Sequence, residues 1–556
     1  MPSYALPPLS DRAALAIHCL THHVDPQHGY IPYFYTQLSM RPLGAYFDIW
    51  SYGDGLGRSV DALALCRTMT GQAADVEPVD RAMRETLIGL IRDDGLSWCP
   101  AQPWTLAEAH TRPAWLQQGT LLALTSIYQL TDNASYRRLA EKNIDGILKI
   151  ARRQDGYLDF PGDAYTAEHG WHVPEQEDPF HKLSVFSTSV TMPLMRFYRL
   201  TGYEPARELA SGLINWGLRD HDGGRKLFDR GHFHCQSRLM TALLMRGVAQ
   251  HSDADLELGE WLYRKARRCG TLAGWFPEQI DNPEMNRSGL SETCCLTDMI
   301  ESAILLAQHR SPLYWNDVER YARNYLLVHQ HTRMDWVDQL TERPESTMPG
   351  GHARLLHLGE RSDRFRQTLI GGFVGWGGVA ALSDDTPFGN MNQHCCNGAG
   401  ARALYDVWYH TVSDRNREFT VNLHLQRNHA AAEITVTEAE ALEMTIKLKA
   451  DRRLRVRVPE FVAPAEFTVS LPFHIADGFA DCGEVRAGTT VAVRYPLRDA
   501  VTREPAADNR MFEYRWHGAT VMGIAPVYGV SPLFVPERFA AAAQSGPVAA
   551  REVEPF

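Results

Sequence analysis

The strongest constraint on what this chain can fold into is a repeat within its helical stretches. Ile127-Tyr128-Gln129-Leu130-Thr131, followed by Tyr136-Arg137-Arg138-Leu139-Ala140, matches Phe197-Tyr198-Arg199-Leu200-Thr201, followed by Ala206-Arg207-Glu208-Leu209-Ala210, at an offset of 70 residues. In each copy an amphipathic helix ends at a Thr-containing turn and a second begins about five residues later, so the offset corresponds to about two helical hairpins. Fainter copies lie at Leu65-Cys66-Arg67-Thr68-Met69-Thr70-Gly71 and Leu305-Leu306-Ala307-Gln308-His309. One hairpin cannot bury its apolar face alone, so repeated hairpins imply a toroid or a solenoid. Amphipathic patterns dominate from about residue 10 to 330, with further helices expected over 352 to 410. That is about the material for the twelve helices of an (α/α)6 barrel. An irregular helical domain is the alternative.

After about residue 415 the apolar period changes to two. Phe419 to Leu425, Ile434 to Thr437, Met444 to Leu448, Leu454 to Val458, Phe467 to Leu471 and Val491 to Tyr495 read as short strands between Gly, Pro and charged turns. The expected organisation is an (α/α)6-barrel domain over 1–414, a β-sandwich over 415–535, and a partly ordered tail over 536–556 rich in Ala, Pro and Glu. A chain of 556 residues with 44% hydrophobic and 22% charged residues has ample material for such a core.

The formal charge of −11 comes with no basic stripe interleaved with aromatics, which argues against nucleic acid as a partner. The first residues, MPSYALPPLSDRAALAIHCL, carry no basic segment leading into an apolar one, and no run of about 18 apolar residues occurs, so a soluble, cytoplasmic protein without a membrane partner is expected. In that setting ten cysteines are not a disulfide framework. Two vicinal pairs, Cys294-Cys295 and Cys395-Cys396, invite a metal or thiol chemistry instead; isolated Cys19, Cys66, Cys99, Cys235, Cys269 and Cys482 read as small buried hydrophobes.

Ser291-Glu292-Thr293-Cys294-Cys295-Leu296-Thr297-Asp298-Met299-Ile300-Glu301 opens an amphipathic helix that runs to about His309. A carboxylate and a thiol two residues apart at a helix start can point at one ion, and the free N–H groups there favour anionic ligands. About a hundred residues further on, Asn392-Gln393-His394-Cys395-Cys396-Asn397-Gly398-Ala399-Gly400-Ala401-Arg402 leads into another helix. Thiolates select zinc among cellular divalent ions, and three sulfurs with one carboxylate oxygen complete a tetrahedron. Inert buried cysteines are the alternative, since the paired CxxC knuckles of a zinc ribbon are missing.

Glu292-Thr-Cys294-Cys295 with its Asp-Met-Ile-Glu helix, and the second Cys-Cys with Arg402 six residues on, resemble the β-L-arabinofuranosidase-type glycoside hydrolases of family 127, the DUF1680 group. The resemblance extends to the Thr-Gly hairpins, Tyr46 to Arg58, Val421-Asn422-Leu423-His424-Leu425 and Thr520-Val521-Met522-Gly523-Ile524-Ala525-Pro526. It implies an (α/α)6 barrel joined to β-sandwich material, and a Zn2+ cofactor held by Glu292, Cys294, Cys395 and Cys396. It also implies that Cys395 is the nucleophile of a retaining exo-glycoside hydrolase, with a Glu shortly before the Glu-x-Cys motif as acid/base. Glu278 and Glu284 are both eligible. Glu278 is preferred because Trp275 and Phe276 beside it would raise its pKa by desolvation. Cys295 replaces Cys294 as ligand if the helix start is rotated. Where well-known members carry Cys-Cys-Pro-Pro-Asn, this chain has Cys396-Asn397-Gly398-Ala399-Gly400, a loop expected to border the sugar.

His234 and then His232 are candidates for sugar hydroxyls, as are Asp54 and Trp50, with Trp171, His172 and His181 as further rim residues. The expected partner is a carbohydrate or glycoside, with assembly into a homo-oligomer left open. Two other readings compete: a barrel sugar epimerase or lyase whose histidines move protons while the cysteines are structural, and a non-catalytic carbohydrate-binding protein.

Overall fold

The computed structural model describes residues 4–73, 77–105, 110–173, 175, 182–282, 289–344, 359–386, 390–506, 509–534, 546–549 and 551–556. His181 and Glu284 lie outside these residues. Among the described residues the helices of seven or more residues are α1 Leu9–His22, α2 Asp54–Met69, α3 Pro78–Gly89, α4 Trp115–Thr131, α5 Ala134–Ile150 and α6 Thr191–Thr201, then α7 Glu204–Asp220, α8 Phe233–Gln250, α9 Asp253–Arg267, α10 Thr293–His309, α11 Trp315–Tyr321 and α12 His394–His410.

Helix α2 packs on α4, α4 on α6, α6 on α8, α8 on α10, α10 on α12, and α12 returns to α2. Six helices therefore form a closed ring. Helices α3, α5, α7, α9 and α11 each pack on the ring helix that precedes them, and α1 lies against α2 and α12. Burial follows this division. α2 and α12 are buried along nearly their whole length, whereas α5 and α9 bury one stripe and keep their charged residues outside.

The repeated text marks the ends of ring helices: Thr131 closes α4 and Thr201 closes α6, with α5 and α7 starting at Ala134 and Glu204. The offset of 70 residues is thus one hairpin, not about two. The difference is taken up by the connection from 151 to 190, which carries the strand pairs Arg152–Arg153 with Leu158–Asp159 and Ala164–Thr166 with Gly170–His172 before α6 begins.

The C-terminal region is sheet-rich. One five-stranded sheet orders Val412–Arg415, Glu418–Val421, Arg452–Arg457, Phe479–Val485 and His474–Ala476; a second orders Arg427–Asn428, Ala432–Glu438, Ala441–Leu448, Thr490–Pro496 and Thr468–Val469. Both contribute to one apolar cluster, in which Phe419, Leu454 and Val456 meet Ile434, Met444, Ile446 and Val493. The period-two pattern has its reason there, since alternate residues of Ala441–Leu448 are buried and exposed. The following three-stranded sheet, Asp499–Ala506, Arg510–His517 and Thr520–Ala525, instead buries Phe512, Tyr514, Trp516 and Val521 in the core of the helical part.

The tail behaves differently from its composition. Residues 536–545 lie outside the described residues, but Val553 and Phe556 are buried against the ring. The Pro555 carbonyl accepts from Arg402 Nη2, and Tyr405 Oη donates to the Val553 carbonyl at 2.9 Å. Low sequence complexity does not prevent a chain end from being fixed once its backbone carbonyls satisfy buried donors.

Candidate functional site

Five of the six ring helices, and the short turn ahead of α6, present residues at their N-terminal ends to the same cavity, of about 190 Å³. Asp54 and Arg58 reach it from α2, Trp115 from α4, Phe186 from just before α6, His232, His234 and Cys235 from α8, Glu292 from α10, and Gln393 and Cys395 from α12. Unpaired N–H groups and positive dipole ends converge on one place, which favours anionic side chains there.

Short backbone pairings set the remaining groups. Gly231–His232 pairs antiparallel with Gln279–Ile280, Phe233 N donates to the Glu278 carbonyl at 2.9 Å, and Glu278 N donates to the Leu290 carbonyl at 3.0 Å. Glu278 is thereby held between the two segments that carry His232 and Glu292. On the other side Gln393 pairs with Tyr35, and His394 N donates to the Phe34 carbonyl at 2.8 Å, which brings both aromatic residues beside Cys395.

Glu292, Cys294, Cys395 and Cys396 are all buried, and one donor atom from each lies within 4.8 Å of the others. Cys294 Sγ and Cys396 Sγ are 3.8 Å apart, Cys395 Sγ and Cys396 Sγ 4.0 Å, and Glu292 Oε1 is 3.5 Å from Cys395 Sγ and 3.7 Å from Cys396 Sγ. A tetrahedral zinc with sulfurs at about 2.3 Å and an oxygen at about 2.0 Å requires S···S separations of about 3.8 Å and S···O separations of about 3.5 Å. These spacings fit zinc. The electrostatics point the same way. Burial above all, with the Glu292 charge adding, pushes the Cys294 and Cys396 thiols well above the usual range, so a cation is what would make thiolates of them. Cys295 stands apart, its sulfur 3.8 Å from the Pro277 carbonyl and 3.9 Å from the other Glu292 oxygen.

Glu278 is 6% exposed; its Oε2 accepts from Trp376 Nε1, and its Oε1 is 3.6 Å from His232 Nε2. Burial, then the Glu292 charge, push its carboxyl up to about 7, against the pull of His232 and Trp376. His232 Nε2 also lies 3.5 Å from Glu292 Oε2. Asp54 holds Arg58, whose Nη1 reaches Cys294 Sγ at 3.7 Å. His234 is fixed at both nitrogens: Nε2 faces Arg58 Nη2 at 3.2 Å and Nδ1 faces Asp298 Oδ2 at 2.7 Å. A guanidinium only donates, so Nε2 accepts and the proton sits on Nδ1. Burial keeps that imidazole neutral.

Trp50 lines the cavity, with Trp115 at 5.9 Å and Phe186 at 6.4 Å between ring centroids. Trp171 does not; it packs on Phe160 and Tyr165, and His172 is exposed on the same strand pair. The segment after Cys396 is not a cavity border either. It is the first turn of α12, where Asn397 Oδ1 accepts from Phe373 N at 2.8 Å and Gly398 lets Arg58 pass close by. Sequence reading missed Arg58, Trp115, Phe186, Gln393, Tyr35 and Trp376. Only Arg58 carried a local signal, an i,i+4 partnership with Asp54.

A ring of helices whose N-termini gather thiols and carboxylates, with sheets appended at the C-terminal side, defines the class of molecule. The sequence matches no family profile, and no curated protein is similar to it in sequence. Solved structures do match. A GH127 β-L-arabinofuranosidase from Geobacillus stearothermophilus T6 aligns at a TM-score of 0.56 and 12% identity, covering 86% of this chain and 77% of that one. A second GH127 β-arabinofuranosidase aligns at 0.58 and 12%, covering 92% and 78%. A further glycoside hydrolase aligns at 0.53 and 12%, covering 93% and 81%. The chain has a fold like that of glycoside hydrolase family 127.

Proposed function

We propose that the protein is a zinc-dependent, retaining exo-glycoside hydrolase of the β-L-arabinofuranosidase type. The observation that carries the reading is the spacing of the Glu292, Cys294, Cys395 and Cys396 donor atoms at the mouth of the helical ring. We read that ring as an (α/α)6 barrel occupying residues 1–414, and the sheet-rich part to 535 as β-sandwich material. Bound zinc would keep the Cys395 sulfur deprotonated at neutral pH.

The cavity takes one sugar ring, with Trp50 and Trp115 as apolar faces and Asp54, His232 and Gln393 as hydroxyl partners. Cys395 attacks the anomeric carbon while Glu278, protonated because its carboxyl titrates near neutrality, gives its proton to the departing oxygen. Glu278, now a carboxylate, then takes a proton from water, whose oxygen displaces Cys395 and restores the configuration. His234 does not suit the competing epimerase or lyase reading, because an imidazole fixed between a guanidinium and a carboxylate cannot trade protons with a substrate.

The test is a panel of aryl furanosides and pyranosides, with metal content and product stereochemistry measured together. Hydrolysis with retention by protein carrying one zinc per chain is expected. Inverted product, or full activity after zinc removal, would sink the mechanism.

A further inference from the structure

A second cavity, roomier than the one at the helix ends, lies elsewhere. It encloses about 390 Å³ where α1, the segment after α11 and the strand Val530–Pro532 meet, and it shares no residue with the catalytic cavity. Three arginines line it, Arg12, Arg323 and Arg333, and among the described residues no aspartate or glutamate does. Their situations differ. Arg323 is spent on Glu319, Glu438 and the His424 carbonyl, and Arg333 lies at the exposed rim, 3.4 Å from Asp335.

Arg12 is the unusual one. Among the described residues its buried Nε and Nη1 have no hydrogen-bond partner and its guanidinium makes no ion pair; Asp11 beside it adds an electrostatic attraction only. Arg12 as a whole is part-buried, but guanidinium N–H groups shielded from water without an acceptor are costly, so such groups call for a ligand. The backbone is fixed around it, since Gln330 Nε2 donates to the Arg12 carbonyl at 2.8 Å. The wall is formed by Leu327 and Leu382 and by the chain leaving the π-helical turn Ala322–Leu326, a local geometry common at functional sites.

We propose that this cavity is a binding site for a small organic anion, its phosphate or carboxylate group against Arg12 and Arg333 and its body against Leu327 and Leu382. The site is independent of the proposed glycosidase reaction and stands or falls without it.

Calorimetric titration of the full chain with inorganic phosphate, phenyl phosphate and benzoate tests this. Saturable binding of phenyl phosphate or of benzoate is expected, and whichever is tighter identifies the head group. Phenyl phosphate should bind at least about tenfold more tightly than inorganic phosphate, because its ring covers the apolar wall. Arg12→Met should weaken binding by at least about tenfold and Arg333→Met by about threefold, with zinc content unchanged in both. Arg333 is exposed, so its variant reports even if Arg12→Met folds poorly. No saturable heat from any of the three anions, or affinities unaltered by both substitutions, would overturn the proposal. Anion binding at the zinc mouth instead would show as affinities insensitive to both arginines.

Discussion

Cys294 and Cys295 are neighbours in sequence, yet a step of about 100° around the helix sends one sulfur to the Glu292–Cys396 cluster and the other to the Pro277 carbonyl. Cys294→Ala should therefore lower zinc affinity by at least about a hundredfold, whereas Cys295→Ala should retain one zinc per chain, measured by competition with a chromogenic chelator. Equal losses would mean that the helix start is rotated. Glu278 invites a separate test. Glu278→Gln removes the proposed proton donor but no donor atom of the Cys/Glu cluster, so zinc content should persist while kcat/KM falls by about 10²–10⁴-fold on substrates with poor leaving groups. The loss should shrink sharply for a dinitrophenyl glycoside, whose leaving oxygen needs no proton; a uniform loss would point to a positioning role. The cysteines and Glu292 were legible in the sequence because vicinal thiols at helix starts are chemically odd, whereas Glu278 was reached through the family resemblance. Trp376 and Phe186 were not, because nothing in a local pattern says that a loop aromatic 98 residues from Glu278 will donate to its carboxylate, or that one preceding a ring helix will line the cavity.

At the level of elements, the site exists because ring helices start at one level, and that depends on how closely they approach. α2 and α4 cross backbone to backbone: a Cβ on Gly119 would lie 1.9 Å from the Gly53 carbonyl oxygen, and one on Gly57 would lie 2.3 Å from the Gly119 carbonyl carbon. Neither obstacle is a side chain that can swing away. Gly119→Ala must push the helices apart and should cost about 2–4 kcal/mol in urea unfolding. Because Asp54 and Arg58 ride on α2, and Trp115 on α4, KM for any cleaved glycoside should rise in the same variant. A stability loss under about 0.5 kcal/mol would show that the crossing is not tight. The sequence disclosed the hairpins through their Thr-containing ends, but the step between them was misjudged, since the long connection from 151 to 190 has no helical period of its own to count.

Across the whole molecule, the helical part and the sheets are joined by buried charge rather than by apolar surface alone. Glu319 on α11 accepts from Arg323 and from Arg457 of the strand Arg452–Arg457, while Arg323 also binds Glu438 of the second sheet. Sequence patterning distinguished the two regions by period but gave no hint of this joint, because the partners that meet across it lie more than a hundred residues apart in the chain. Burial alone would raise the Glu319 carboxyl, but the Arg323 and Arg457 charges outweigh it and hold the group at about 2. A carboxyl depressed in the folded state stabilises it fully above the unfolded value of about 4.5 and ceases to do so as pH falls through about 2. Over that window the joint should lose about 3 kcal/mol. Glu319→Gln should flatten the dependence of unfolding free energy on pH between about 5 and 2, while lowering stability at pH 7 by about 3 kcal/mol, because the buried Arg457 then lacks its counter-charge and Arg323 keeps Glu438 alone. The Thr520–Ala525 strand hydrogen-bonds to the segment just after α11, with Val521 N donating to Asn324 Oδ1 at 2.8 Å, so its amides should exchange faster with solvent in the variant. An unchanged acid profile with unchanged exchange would place the strength of the joint elsewhere, in the buried aromatic contacts of Tyr514 and Trp516 with the helical core.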